Sequence, residues 1–276
     1  MTEEGKARLK DAAETVNWYL KTYVPKDQLP TALGHNHLIL DAITGGAYSR
    51  VKQEKGKRIA EGSDNVALNF EQPKQGWTPP SWLIEGDFPI IGRRFTPGEF
   101  LTFLRYEAAI PRVNRFQATG VTAHHTFHPD LDMRPNGFTE QHMRNLRSYY
   151  RSEIPGQKKA WKSGPHVFTD DNGIWAFTPP HLRGVHAVSF NNRFGVEMLG
   201  NFDDRDDFRD PRGKRSIQHG QFAIAALMVV HRIPRDRVNF HRHDPETSKT
   251  CPGTEIDFED FERGVLDWYD QLKKYV

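Results

Sequence analysis

Between Asn239 and Gly253 the chain carries two histidines, His241 and His243, its only cysteine, Cys251, and Lys249 two positions before that cysteine. Imidazole and thiolate are the ligand pair that borderline-soft Zn²⁺ prefers. A second histidine pair, His124-His125, lies far upstream at the end of an apolar run. The two stretches are expected to meet at one zinc ion. His124 and His125 are neighbours at a strand end, where side chains alternate between faces, so at most one of them points into a shared pocket. The other two histidines precede Cys251 by ten and eight positions, and either spacing can loop back to one ion. Neither is a zinc-finger pattern, because no second CxxC or HxxxH exists. On spacing alone, a polar surface loop stays open as the alternative.

A His/His/Cys set supplies three protein ligands and leaves a fourth position free, which is the catalytic arrangement of zinc. Such chemistry needs a base for the attacking water and a donor for the developing oxyanion. Lys249, next to Cys251, suits the second role. Glu197 is an acid in the otherwise apolar strand Phe194–Leu199. Strands rarely bury a carboxylate without a partner or a task, so it is the best base candidate. An outward-facing glutamate on a half-exposed strand is the plain alternative.

The elements that must position these groups follow from periodicity and caps. Amphipathic helices are expected over residues 4–24 and about 38–52. Residues 71–86 are rich in proline and glycine with Trp77 and Trp82, which places a domain boundary near residue 88. Thr96-Pro97 opens a helix running to about Tyr106. Strands are expected at 119–126, on both sides of the Asp170-Asp171-Asn172-Gly173 hairpin turn, at 185–190 and at 194–199. Helices follow at 141–152, at 216–231, where apolar residues nearly encircle the axis, and after the cap Asp257. The order favours an α/β fold with a central mixed β-sheet flanked by helices, at 89–276, and a small, mainly helical N-terminal domain at 1–88.

Hydrophobic residues make up 37% of the 276-residue chain, enough for a real core. One cysteine excludes an internal disulfide framework. A net charge of +2 is too small to argue for nucleic acid, and no nucleic-acid partner is expected. No apolar run reaches the length of a membrane span, and the N-terminus lacks the pattern of a signal peptide. A monomer made in the cytoplasm is the expectation.

The residues singled out stand in five ordered motifs: Val121-Thr-Ala-His124-His125-Thr126, Gly164-Pro165-His166-Val167-Phe168, Gly184-Val185-His186-Ala187, Phe194-Gly-Val-Glu197-Met-Leu-Gly200, and His241 through Lys249-Thr-Cys251-Pro-Gly253. Over roughly residues 95–265 the chain resembles the zinc-dependent N-acetylmuramoyl-L-alanine amidases of the peptidoglycan-recognition type, particularly those that phages use as endolysins. The resemblance implies hydrolysis of the amide between muramic acid and the L-alanine of the stem peptide, with peptidoglycan as substrate and Zn²⁺ as cofactor. It makes His124 and Cys251 metal ligands and Lys249 a catalytic group. The middle ligand falls on His241 or His243, and the neighbours Phe240, Asp244 and Pro245 favour His241. Many members carry a tyrosine where Pro165 stands; members without it commonly use a glutamate at the position of Glu197. His166 and His186 would line the pocket or pack behind it. Non-catalytic recognition modules of this fold typically lose the cysteine, which is present here, and a cytosolic muropeptide-recycling amidase is a further alternative. An endolysin would wait in the host cytoplasm and act on the wall in the periplasm, with residues 1–88 as a wall-binding module.

Overall fold

The computed structural model of the chain describes residues 86–153 and 159–276. The helices expected over 4–24 and 38–52 lie outside the described residues. Six strands form one sheet: β1 (Arg93–Phe95), β2 (Val121–His125), β3 (Val167–Asp170), β4 (Gly173–Ala176), β5 (Phe194–Met198) and β6 (Val238–Phe240), in the spatial order β1-β4-β3-β5-β2-β6. The β1–β4 and β4–β3 pairs are antiparallel, whereas β3, β5, β2 and β6 run parallel. The sheet is therefore mixed, as expected.

Strand alternation divides the side chains between two faces. Ala123, Val196, Val167 and Ala176 lie in one row across the sheet. This face buries its side chains in the main core with α1 (Pro97–Ala109), α4 (Pro211–Val230) and α5 (Phe258–Leu272). The next row, His124, Glu197, Phe168 and Trp175, faces the other way. Phe168 and Trp175 are covered by Phe88, Phe138 and Met143 of a second cluster, with Met143 coming from α2 (Glu140–Arg151). Helices thus flank both faces, and the His124–Glu197 end of the second row carries its imidazole and its carboxylate.

The caps explain most helix starts. Thr96 and Glu99 form a reciprocal capping box with Pro97 in the first turn of α1. Asp257 caps α5 by accepting the Asp260 N–H at 2.9 Å. α4 begins at Pro211, five residues before the apolar periodicity, because Asp210 caps it by accepting the Arg212 N–H. Its charged first turn and the short α3 (Arg205–Arg209) lie in the charge-rich stretch between Asp203 and Arg215.

One expected strand is absent. Residues 185–190 form an irregular loop. Their backbone is held by side chains: Asn191 Oδ1 accepts from the N–H groups of His186 and Ala187, and the Ser189 N–H donates to Asp244. Side-chain acceptors of this kind compete with a strand ladder. Among the described residues, no helix is long and apolar enough to cross a membrane.

α4 packs along β2, β3, β4 and β5 and buries the eight consecutive residues Phe222–Val229. Leu227 there is fully buried. Replacing Leu227 with alanine should cost about 2–5 kcal/mol, the range for emptying a leucine site in a packed core. Urea denaturation measures this, and an unchanged midpoint would contradict the packing described.

Candidate metal centre

Three parallel strands deliver the chemistry to one edge of the sheet. His124 lies at the C-terminal end of β2, in register with Glu197 on β5. On the other side Ala123 pairs with Phe240, the last residue of β6, so the chain turns away at His241 beside His124. The turn is a short 3₁₀ segment, His241–His243. The ligand-capable atoms of His124, His241 and Cys251 all lie within 4.8 Å of one another, and all three residues are buried. Cys251 Sγ is 3.7 Å from His124 Nδ1. Two ligands at about 2.0–2.3 Å on a tetrahedral zinc would stand roughly 3.6 Å apart, so the His124–Cys251 pair is already spaced for such an ion.

His243 does not join this group. It is exposed, its ring stacks on Phe240, and its Nδ1 accepts the Phe240 N–H at 3.4 Å. His125 turns to the opposite side, where its Nδ1 accepts the Phe202 N–H at 3.1 Å. Its backbone N–H nevertheless points at the centre and donates to Cys251 Sγ at 3.4 Å. The pair therefore contributes one ring and one amide.

The loop that brings Cys251 into place is fastened by Arg242, a residue with no obvious signal in the sequence. Its backbone N–H donates to the Cys251 carbonyl at 2.7 Å, and its guanidinium donates to the carbonyls of Gly253 at 2.6 Å and Ile256 at 2.9 Å. Gly253 has φ +119, and a Cβ there would lie 2.3 Å from the backbone of Phe202. That close approach admits only glycine. Asp244 anchors the other end of the turn: its carboxylate accepts from Ser189 and from the Glu246 N–H. Burial alone would raise the Asp244 carboxyl, but these hydrogen bonds outweigh it and hold the group below its ordinary value.

Burial also sets the charge states. It holds His124 well below its ordinary value, with the neighbouring His186 and His241 acting in the same direction. Burial and then Lys249 lower His241. Both rings are neutral at neutral pH and offer lone pairs. Burial pushes the Cys251 thiol up, and so does Glu197. The Glu197 side chain is 15% exposed, with Oε1 3.8 Å from His124 Nδ1. Its carboxyl is raised by burial to about 8, with Lys249 pulling the other way. Lys249 itself is exposed, yet its charge acts on Glu197, His241 and Cys251.

The profile of the N-acetylmuramoyl-L-alanine amidase family matches residues 114–254. This interval is just over half of the chain and contains His124, Glu197, His241, Lys249 and Cys251. The chain belongs to that family. It is an amidase that acts on peptidoglycan. No curated protein sequence matches it significantly. Among solved structures it is similar to the catalytic domain of XlyA, at 23% identity over 55% of this chain and 88% of that one, with a TM-score of 0.38. It is also similar to the amidase LysC from Clostridium intestinale, at 21% identity over 57% and 91% of the two chains, with a TM-score of 0.41. The Staphylococcus aureus hydrolase AmiA aligns at 14% identity over 61% and 82%, with a TM-score of 0.42.

In this amidase the remaining motif histidines sit behind the centre. His166 accepts the Gly195 N–H at Nδ1 and donates from Nε2 to the Leu182 carbonyl, stacked on Phe116. Pro165 is buried beside it. His186 contacts His124 directly, with 3.0 Å between His124 Nε2 and His186 Nδ1. Arg242→Ala should lower the stability of the metal-free protein by about 1.5–3 kcal/mol, because a charged donor leaves several loop carbonyls. Arg242→Lys should recover little, since one ammonium cannot reproduce the planar fork. Chemical denaturation distinguishes these outcomes, and a neutral Arg242→Ala would contradict the fastening role.

Proposed function

We propose that the amidase uses one Zn²⁺ held by His124, His241 and Cys251 to hydrolyse the amide between N-acetylmuramic acid and L-alanine. The single observation that carries this reading is the convergence of two neutral imidazoles and one thiol, all buried, within 4.8 Å. A bound zinc ion would polarise the scissile carbonyl and acidify water. The same positive charge would favour the thiolate of Cys251 and the carboxylate of Glu197, reversing what burial does to both.

Within this reading Glu197 is the general base. With its carboxylate form favoured by the bound cation, it would accept a proton from the attacking water and return it to the leaving amine. Lys249 donates to the oxyanion that develops on the carbonyl oxygen; an exposed ammonium at the mouth of the site can reach the substrate while its field acts on Glu197. Pro165 supplies no hydroxyl at the position where many family members have tyrosine, which leaves the proton transfer to Glu197.

The biological setting proposed is that of an endolysin, made in the host cytoplasm and acting on the wall in the periplasm, with residues 1–88 as a wall-binding module. The endolysin setting draws on the resemblance of residues 95–265 to phage enzymes and on the substrate of the family.

Incubation of the full chain with Gram-negative sacculi should release stem peptides with a free L-alanine amino group and leave the glycan chains uncut. Chelator should abolish the release and zinc should restore it. Glu197→Gln should lose nearly all turnover with the fold intact, and Lys249→Met should lower kcat by about 10²–10³-fold, the usual loss for one oxyanion donor. Full activity of Glu197→Gln, or of the wild type in excess chelator, would overturn the mechanism.

A further inference from the structure

We propose that His186 is a positioning residue that selects which nitrogen His124 presents to the metal, through a relay that starts at the Arg193 carbonyl. The inference rests on the metal-centre reading above and adds to it a residue outside the ligand set.

The relay can be followed atom by atom. His186 Nε2 lies 3.0 Å from the Arg193 carbonyl oxygen. A carbonyl only accepts, so Nε2 carries the proton and donates. A neutral imidazole then has its lone pair on Nδ1. That Nδ1 faces His124 Nε2 at 3.0 Å, so His124 Nε2 must hold the proton of His124. The lone pair of His124 is thereby left on Nδ1. This is the nitrogen 3.7 Å from Cys251 Sγ and 3.8 Å from Glu197 Oε1. The opposite tautomer of His186 would set two lone pairs against each other at Arg193, which the 3.0 Å contact with the carbonyl oxygen opposes.

The surroundings hold the His186 ring for this task. Its backbone N–H donates to Asn191 Oδ1 at 2.8 Å. The ring lies directly over Gly195 of β5, where a Cβ would stand 2.5 Å from the imidazole Cγ. Gly195 is thus the position whose missing side chain admits the relay, two residues before Glu197 on the same face. A metal-ligating histidine generally donates its other N–H to a fixed acceptor, and loss of that acceptor typically costs 10–100-fold in metal affinity. Here the acceptor is a second neutral histidine, itself fixed by a backbone carbonyl.

Two measurements test the proposal on the full chain. Long-range ¹H–¹⁵N spectra of the metal-free protein at neutral pH should show both His124 and His186 as Nε2–H tautomers. A proton on Nδ1 of either ring would overturn the relay. In the second, cobalt(II) binding is followed by its thiolate charge-transfer and d–d bands. His186→Asn keeps an amide oxygen as acceptor and should bind cobalt close to wild type, whereas His186→Leu should bind roughly 10–100-fold more weakly. Equal binding by wild type and His186→Leu would overturn the proposal, as would an equal loss in both variants. Absence of stoichiometric cobalt binding by the wild type would overturn the metal-centre reading and this inference with it. The spectra of the unaltered chain decide the tautomers even where His186→Leu does not fold.

Discussion

The parallel pairing of β2 with β5 on one side and β6 on the other sets the position of three groups of the candidate site. Three strands running the same way end at the same edge, so His124, Glu197 and His241 arrive together although they are distant in sequence. Ligands of open α/β sheets bind outside the carboxyl ends of the strands for this reason. The fourth group, Cys251, comes from no strand. Its loop has to be tied down, and the ties run from the His125 N–H and from Arg242. A one-residue slip of β2 against β5 would send His124 to the core face and His125 to the site. The fully buried Val121 and Ala123, which would leave the core in the same slip, oppose it.

Electrostatics explains why these groups cluster in a form that suits a cation. Low-dielectric surroundings disfavour charge on each of them separately: the histidines stay neutral, the thiol stays protonated, and the Glu197 carboxyl is raised. A buried set of this kind gains little stability from being together. Lone pairs spaced for a tetrahedral ion and a carboxyl near its midpoint are better understood as preorganisation, in which folding energy holds groups where charge will be placed.

Much of the site was legible from residue types alone. A single cysteine with a lysine two before it, a histidine pair at a strand end and an acid inside an apolar strand all carry a physical oddity that periodicity cannot explain. The hairpin at Asp170–Gly173 and the caps at Thr96 and Asp257 were readable because turn and cap chemistry is local. Other features depend on distant partners. β1 and β6 are three residues each, too short for a period-2 pattern. Residues 185–190 have strand-like composition, yet Asn191 and Asp244 claim their backbone donors. The choice between His241 and His243 turns on Phe240: it pairs with Ala123 and ends β6, so the next residue faces His124 and the third stacks back on Phe240. Arg242 looks like a surface charge in sequence, and only the return of the chain at Gly253–Ile256 reveals what it binds.

Anomalous diffraction at the zinc absorption edge, from crystals of the full chain grown with zinc, tests the central claim most directly. The account predicts one strong peak bonded to His124 Nδ1, a ring nitrogen of His241 and Cys251 Sγ, with Glu197 facing the open fourth position. A peak elsewhere, bonding through His124 Nε2 or His243, or no peak among these three residues would contradict it.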